Sequence, residues 1–152
     1  MKLAEALMAR AEMNKDIEDL ENRLMRVVKV QEGDEPAQDP VELLEASLQK
    51  KTEVRDLIVR INKTNARVID DEGATINDLL AERKHQHRIT QLMSTLLGRT
   101  LETGMRYMRT EIKYVVTVDI ADIQARKDAA AAAYRELDKR LQALNWQVDL
   151  ME

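Results

Sequence analysis

Apolar residues recur every three or four positions through most of the chain, and this spacing predicts amphipathic α-helices. Four such segments lie at about residues 2–29, 40–65, 76–102 and 120–144. The last segment is the most regular. Its stripe consists of Ile120, Ile123, Lys127, Ala130, Tyr134, Leu137, Leu141 and Leu144, with Lys127 as the one polar member. Isolated helices are marginally stable in water, so these segments are expected to pack on each other or on further copies of the chain.

One segment, at residues 111–118, instead alternates with a period of two. The residues of its more apolar face are Ile112, Tyr114, Val116 and Val118. Alternation with β-branched and aromatic residues predicts a half-buried strand. The tail at 146–150 alternates in the same way and is a candidate second strand beside the first, within the chain or between chains.

The connections between the helices are short and carry turn residues. Asp39 followed by Pro40 predicts a helix start, because Asp caps exposed backbone N–H groups and Pro suits the first helical position. Gly73 lies within a predicted β-hairpin at 67–76. Short loops between helices of similar length favour antiparallel pairs. We therefore predict one mainly α domain over 1–152, with four long helices as two antiparallel hairpins and a small β element at one end.

Composition narrows the class of protein further. Charged residues make up 34 % of the chain, Phe and Cys are missing, and Trp146 is the only tryptophan, which suits long helices packed through aliphatic residues. The net charge of −4 disfavours nucleic-acid binding. The sequence disfavours a membrane role, because no apolar run approaches the ~18 residues of a span. The acidic residue Glu5 lies where the apolar core of a signal peptide would begin, so we expect a cytoplasmic protein.

Glu82 and His85 have the Glu-x-x-His spacing that places two metal ligands on one helix face. A di-iron bundle needs this motif twice, and the only other histidine, His87, lies in the same patch. A symmetric oligomer could supply the second copy of the motif across an interface. A solvated or helix-pairing role is favoured for these residues. We therefore predict no metal site and no cofactor. Gly-rich phosphate loops and nucleophile–histidine patterns are missing from the sequence, so we predict that the protein is not an enzyme.

Two clusters of like charge have a plain and a functional interpretation. The acidic loop at 31–36 includes Glu32 and Asp34. A solvated loop is favoured there, and a cation site or an interface with a basic partner is the alternative. The basic run at 83–88 spreads around a helix turn and has no neighbouring aromatic platform in sequence, so a solvated face is favoured over nucleic-acid binding.

Five polar residues lie near the predicted junction of helix ends and strand: Asn62, Asn65, Arg109, Glu111 and Lys113. The three charged ones share a strand face, where opposite charges can pair within a sheet or across a symmetric interface. The two asparagines can cap the helix end or fix its register. Structural roles are favoured for all five, and a functional pocket, if present, is expected among them.

Several short segments, taken together, resemble a known family of small bacterial helical proteins. They lie at 1–7, 30–36, 61–65, 80–83, 109–113 and 145–146. The chain resembles the septicolysin-like family, a domain of unknown function, over essentially its whole length. The resemblance implies a helical, self-associating fold in bacteria and brings no catalytic residues.

The functional prediction is a self-associating structural or interaction protein, a homo-oligomer whose further protein partner is unknown. A membrane-active cytolysin is the alternative, on the family resemblance alone. A metal-dependent helical enzyme is the second alternative, on the Glu82–His85 spacing.

Overall fold

The computed structural model describes residues 1–102 and 114–152. In these residues it has four helices: α1 Leu3–Val27, α2 Pro40–Arg67, α3 Ile76–Leu101 and α4 Ile120–Gln147. The prediction of a mainly α fold with four helices is confirmed. The contacts group the chain into two compact units. Unit 1 comprises Met1–Ile76 and Gln142–Glu152, and unit 2 comprises Asn77–Leu141.

At the starts of three helices, an acidic side chain accepts hydrogen bonds from exposed backbone N–H groups. The Glu5 carboxylate accepts a hydrogen bond from the backbone N–H of Lys2 at 2.7 Å, just before α1. Asp39 accepts from two backbone N–H groups at the start of α2, with Pro40 in the first helical position. Asp119 does the same at the start of α4. Each cap typically stabilises a helix by about 1 kcal/mol, and negative charge also suits a helix N-terminus.

In unit 1, α1 packs against α2. The buried residues of α1 are Leu3, Ala4, Ala6, Ile17 and Leu24. Those of α2 are Leu43, Ser47, Val54, Leu57, Ile61 and Thr64. Leu43 and Thr64 thus belong to the buried face of α2, whereas the next residues in sequence, Leu44 and Asn65, are exposed and half-buried. Two apolar registers compete along α2, and packing on α1 selects the one that contains Ser47 and Thr64.

Ion pairs flank the contact between α1 and α2. Asp16 pairs with Lys50 at 2.5 Å, and Glu21 pairs with Lys51 at 2.6 Å. The hydrogen bond to Asp16 raises the pKa of Lys50. These side chains are partly exposed, so each pair contributes little to stability and mainly fixes how the two helices face each other.

The predicted hairpin at 67–76 is a tight turn with one antiparallel bridge, between Ile69 and Thr75. The Asp70 carboxylate accepts hydrogen bonds from the backbone N–H groups of Glu72 and Ala74, at 3.0 and 2.9 Å. Gly73 has a φ of 85°, a conformation that glycine adopts without strain. The side chain of Asp70 thus builds the turn, and no ladder of two strands forms around it in the described residues.

The predicted strand at 111–118 is wrong over its described part, because residues 114–118 form no strand and are exposed. Residues 111–113 lie outside the described residues. The tail does not pair there either. Leu3 N–H donates to the Val148 carbonyl, and Leu150 N–H donates to the Met1 carbonyl, both at 2.9 Å. Alternation makes a strand only where a neighbouring chain segment supplies hydrogen bonds, and the start of the chain takes the tail as its neighbour.

Candidate functional site

The terminal segment, residues 148–152, is held against the first residues of the chain and the end of α2. Thr64 is completely buried, and its hydroxyl oxygen accepts a hydrogen bond from Met151 N–H at 3.0 Å. The Arg60 side chain donates to the Met151 carbonyl at 3.1 Å. Lys2 forms an ion pair with Asp149 at 2.9 Å. The hydrogen bond from Lys2, followed by its charge, lowers the pKa of the Asp149 carboxyl.

The candidate residues Asn62 and Asn65 lie on α2 beside the residues that hold this segment. Asn62 is exposed and Asn65 is half-buried. The sequence pattern indicated the two asparagines, but the hydrogen bonds from α2 to the terminal segment come from Arg60, Lys63 and Thr64. This part of unit 1 therefore has an evident structural role, which is to fasten residues 148–152 to α2.

The acidic loop is exposed throughout, including Glu32 and Asp34. A turn closes it, with Asp34 N–H donating to the Gln31 carbonyl at 3.0 Å and Gly33 at a φ of 90°. An open depression there is lined by Lys29, Val30, Gln31, Asp34 and Glu35. In the described residues, no group of three or more His, Asp or Glu side chains lies close enough to hold a metal ion.

The remaining residues singled out in the sequence do not build one site. Arg109, Glu111 and Lys113 lie outside the described residues. Glu82 and His85 are both exposed on α3, and the Glu82 carboxylate accepts a hydrogen bond from the Gln86 amide at 2.7 Å. Glu82, the first residue of the Glu-x-x-His motif, therefore pairs with a neighbouring side chain on the surface of the same helix.

Unit 2 brings together a cluster that the sequence alone had separated. Arg83 on α3 pairs with Asp138 on α4 at 2.5 Å. The Arg83 guanidinium carbon lies 6.0 Å from the centre of the Tyr134 ring, within cation–π range. The rings of His87 and Tyr134 are 5.8 Å apart and tilted by 46°. Both side chains of the Arg83–Asp138 pair stay about one-third exposed, so solvent screens the pair and its geometry matters more than its strength.

A depression of about 380 Å³ lies over this cluster, lined by Leu80, Arg83, Lys84, His87 and Tyr134. The four lining residues from α3 follow steps of three and four, so they share one side of the helix. We call this side of α3 the basic flank. The cluster has three cationic or imidazole side chains and one carboxylate, Asp138, which already pairs with Arg83.

The other side of α3 is apolar. Ile89, Leu92, Met93 and Leu96 also follow steps of three and four, and we call them the apolar flank. At about 100° per residue, the centre of the apolar flank lies about 180° around the helix axis from the basic flank. Two residues of the basic flank, Arg83 and His87, contact α4. Leu92 is 54 % exposed, and the other three are half-buried.

Sequence reasoning missed Tyr134 and Asp138 as site residues for a simple reason. Tyr134 belongs to the apolar stripe of α4, and Asp138 is one of many acids on a charged helix. Their spacing of four places them on one face, but only the alignment of α4 with α3 puts that face against Arg83 and His87. The sequence offered one signal for this site: Tyr134 lies in the mostly apolar stripe of α4, and the acidic residue Asp138 follows it by four positions.

The helices place the chain in the mainly α class of proteins, and comparison with known proteins identifies its family. Residues 10–150 match the Family of unknown function (DUF6847), and the chain belongs to this family. A crystal structure of a functionally unknown conserved protein from Corynebacterium diphtheriae is similar, with a TM-score of 0.91 and 42 % sequence identity, over 99 % of this chain and 99 % of that chain. No curated protein matches the chain.

The family match corrects the resemblance drawn from short segments. The septicolysin-like assignment is wrong, because the match over residues 10–150 is to a different family. Each of those segments has only two to seven residues, and such short segments recur in unrelated proteins, so their combination misled. The cytolysin alternative rested on that label alone and loses its basis. Among the described residues, no helix is long and apolar enough to cross a membrane.

Proposed function

We propose that the protein is a non-catalytic, self-associating helical protein, and that the apolar flank of α3 is its interface with a second copy. The observation that carries the proposal is the incomplete core of unit 2. Of its described residues, only Leu79, Ala130 and Leu141 are buried. Two helices alone cover one stripe of each other, and large aliphatic side chains on a second stripe remain in contact with water.

The proposal includes an antiparallel arrangement of α3 and α4. Two contacts support it. Arg83 pairs with Asp138, and His87, one turn further along α3, contacts Tyr134, one turn earlier on α4. The proposal also includes an antiparallel arrangement of α1 and α2. In support of it, Arg23 near the end of α1 donates a hydrogen bond to Gln38, just before α2 begins.

A second copy of the chain is the occupant that the charges favour. Glu82 lies at one end of the apolar flank, and Arg99 lies near the other end. A two-fold axis near Leu92 would place α3 antiparallel to α3 of a second copy, with Glu82 of each chain towards Arg99 of the other. Such an interface is self-complementary, since the same apolar residues meet across the axis.

The test is the native mass by light scattering behind size-exclusion chromatography, over a range of micromolar concentrations. We expect a stable multiple of 17.5 kDa for the wild type. Leu92→Lys places a charge in the interface and should give the monomer mass. Gln91→Lys is the matched control, because Gln91 is exposed, adjacent in sequence and outside the apolar flank, and this variant should keep the wild-type mass.

Two results would overturn the proposal. One is a monomeric wild type at every concentration. The other is an oligomer whose mass Leu92→Lys leaves unchanged while circular dichroism reports intact helices. A charge exchange tests the antiparallel geometry separately. Glu82→Arg should weaken association, and the additional substitution Arg99→Glu should restore it.

A further inference from the structure

We infer that the depression over the basic flank of α3 binds the phosphate group of a small molecule. This inference does not depend on self-association, because the apolar flank lies on the opposite side of α3. The site is made by Arg83, Lys84 and His87 from α3 and by Tyr134 from α4. All four lie in unit 2.

Four side chains that carry donor groups line the same depression. Arg83, Lys84, His87 and Tyr134 all line the depression of about 380 Å³. This size lies in the range of ligand pockets, about 300–1,000 Å³. Arg, Lys, a histidine N–H and a tyrosine hydroxyl are all hydrogen-bond donors, and the first two are always charged near neutral pH. A tetrahedral anion with several acceptor oxygens is the ligand that can accept from this many donors of different direction.

The Asp138 carboxylate does not cancel the attraction for an anion. It contacts Nη1 of Arg83, and a guanidinium has five N–H donors in all. The Arg83–Asp138 pair thus positions the guanidinium beside the Tyr134 ring and leaves further donors for a ligand. Lys84 adds a second positive charge to that of Arg83, against the one negative charge of Asp138, in a protein whose net charge is −4. The cluster is therefore a local exception to the charge of the whole chain.

The apolar part of the lining selects the size and nature of the ligand. Leu80 and the Tyr134 ring supply the apolar part of the lining. An organic phosphate with a flat or apolar group can contact these two side chains while its phosphate meets the basic side chains. Inorganic phosphate satisfies only the second requirement, so we expect it to bind more weakly than an aromatic phosphate ester.

The two histidines of the chain provide an internal control for the test. His87 lines the depression, whereas His85 lies two residues earlier, exposed and on another side of α3. Proton NMR resolves their ring resonances, and His85→Gln assigns them by removing one. Phenyl phosphate at constant ionic strength should shift the His87 resonance in a saturable way and leave the His85 resonance almost unchanged. Inorganic phosphate should do the same at higher concentration, and phenol should not.

Substitutions locate the site. Lys84→Gln removes one charged donor without touching the Arg83–Asp138 pair and should weaken phenyl phosphate binding about tenfold, as expected for one charge-assisted hydrogen bond. Arg88→Gln is the matched control, because Arg88 is exposed on the same helix and outside the depression, and should bind like the wild type. Three results would each overturn the inference. These are equal shifts of both histidine resonances, no saturable shift at millimolar phenyl phosphate, and equal losses of binding in the Lys84→Gln and Arg88→Gln variants. The native mass separates this result from a failure of the proposed self-association.

Discussion

The hydroxyl of Thr64 lies 3.0 Å from the backbone nitrogen of Met151 and is the buried link between α2 and the terminal segment. The same hydroxyl donates to the Arg60 carbonyl at 2.8 Å, so its proton is used within the helix and its oxygen is free to accept from Met151. The threonine hydroxyl thus both donates and accepts inside the apolar face of α2.

Thr64→Val should therefore destabilise the protein although it keeps the shape of the side chain. The change leaves Met151 N–H without its acceptor, and an unsatisfied buried donor costs about 1–3 kcal/mol. Thr52→Val is the matched control, because the Thr52 hydroxyl donates to the Leu48 carbonyl in the same way but is exposed on α2. Urea unfolding should report a loss for Thr64→Val and little change for Thr52→Val. Equal effects would mean that the link to Met151 contributes nothing measurable.

The ion pair between Lys2 and Asp149 predicts a dependence of stability on acid pH. The pKa of Asp149 is lower in the folded protein than its ordinary value of 3.8, chiefly through the hydrogen bond from Lys2. The stabilisation is therefore present above pH 3.8 and is lost as the pH falls through the folded-state pKa. Asp149→Asn should be slightly less stable than the wild type at pH 6, and the difference should vanish in strong acid.

Unfolding by urea at several pH values checks this prediction, with Asp128→Asn as a control for a carboxylate on the surface of α4. Asp149 is exposed, so the expected effect is small and is best read from the change with pH rather than from one value. A difference between Asp149→Asn and the wild type that stays constant down to strong acid would contradict the assignment.

The glycines at 73 and 98 predict opposite outcomes for the same substitution. Gly73 has a φ of 85°, and an added side chain would be strained there by about 1–2 kcal/mol. Gly98 lies within α3, and a Cβ at this position would meet no atom within 4 Å. Gly98→Ala should therefore stabilise the helix by about 0.5–1 kcal/mol, while Gly73→Ala should destabilise the turn. Thermal unfolding compares the two directly, and a change of the same sign for both would refute the account.

The helices could be predicted from the sequence because apolar residues recur at helical spacing in each of them. Asp39 and Asp119 begin α2 and α4 as their residue types indicate. The core face of α2 could not be predicted, because Leu43 and Leu44 offer two adjacent stripes and the choice depends on how α1 packs. A pairing partner is a property of the whole fold, which is why alternation at residues 114–118 suggested a strand that does not form.

The candidate site was less accessible to sequence reasoning than the fold. Arg83 and His87 were visible as part of a basic run, but their relation to Tyr134 and Asp138 depends on the alignment of two helices about fifty positions apart in the chain. Residue type and local spacing carry no information on such an alignment. The remaining candidates, Glu32 and Asp34, were correctly placed in an exposed loop, and exposure alone gives them no chemistry.

The fastening of residues 148–152 has a consequence for the order in which the chain can assemble. Lys2 donates to the Gln147 carbonyl, and these residues are 145 positions apart. Contacts of such long range form late, because the intervening chain must first be brought together. During synthesis on a ribosome, α1 and α2 can pair early, but the N-terminal edge of their unit stays unprotected until α4 has emerged. In a growing chain, this open edge is where we expect chaperones and proteases to compete with folding.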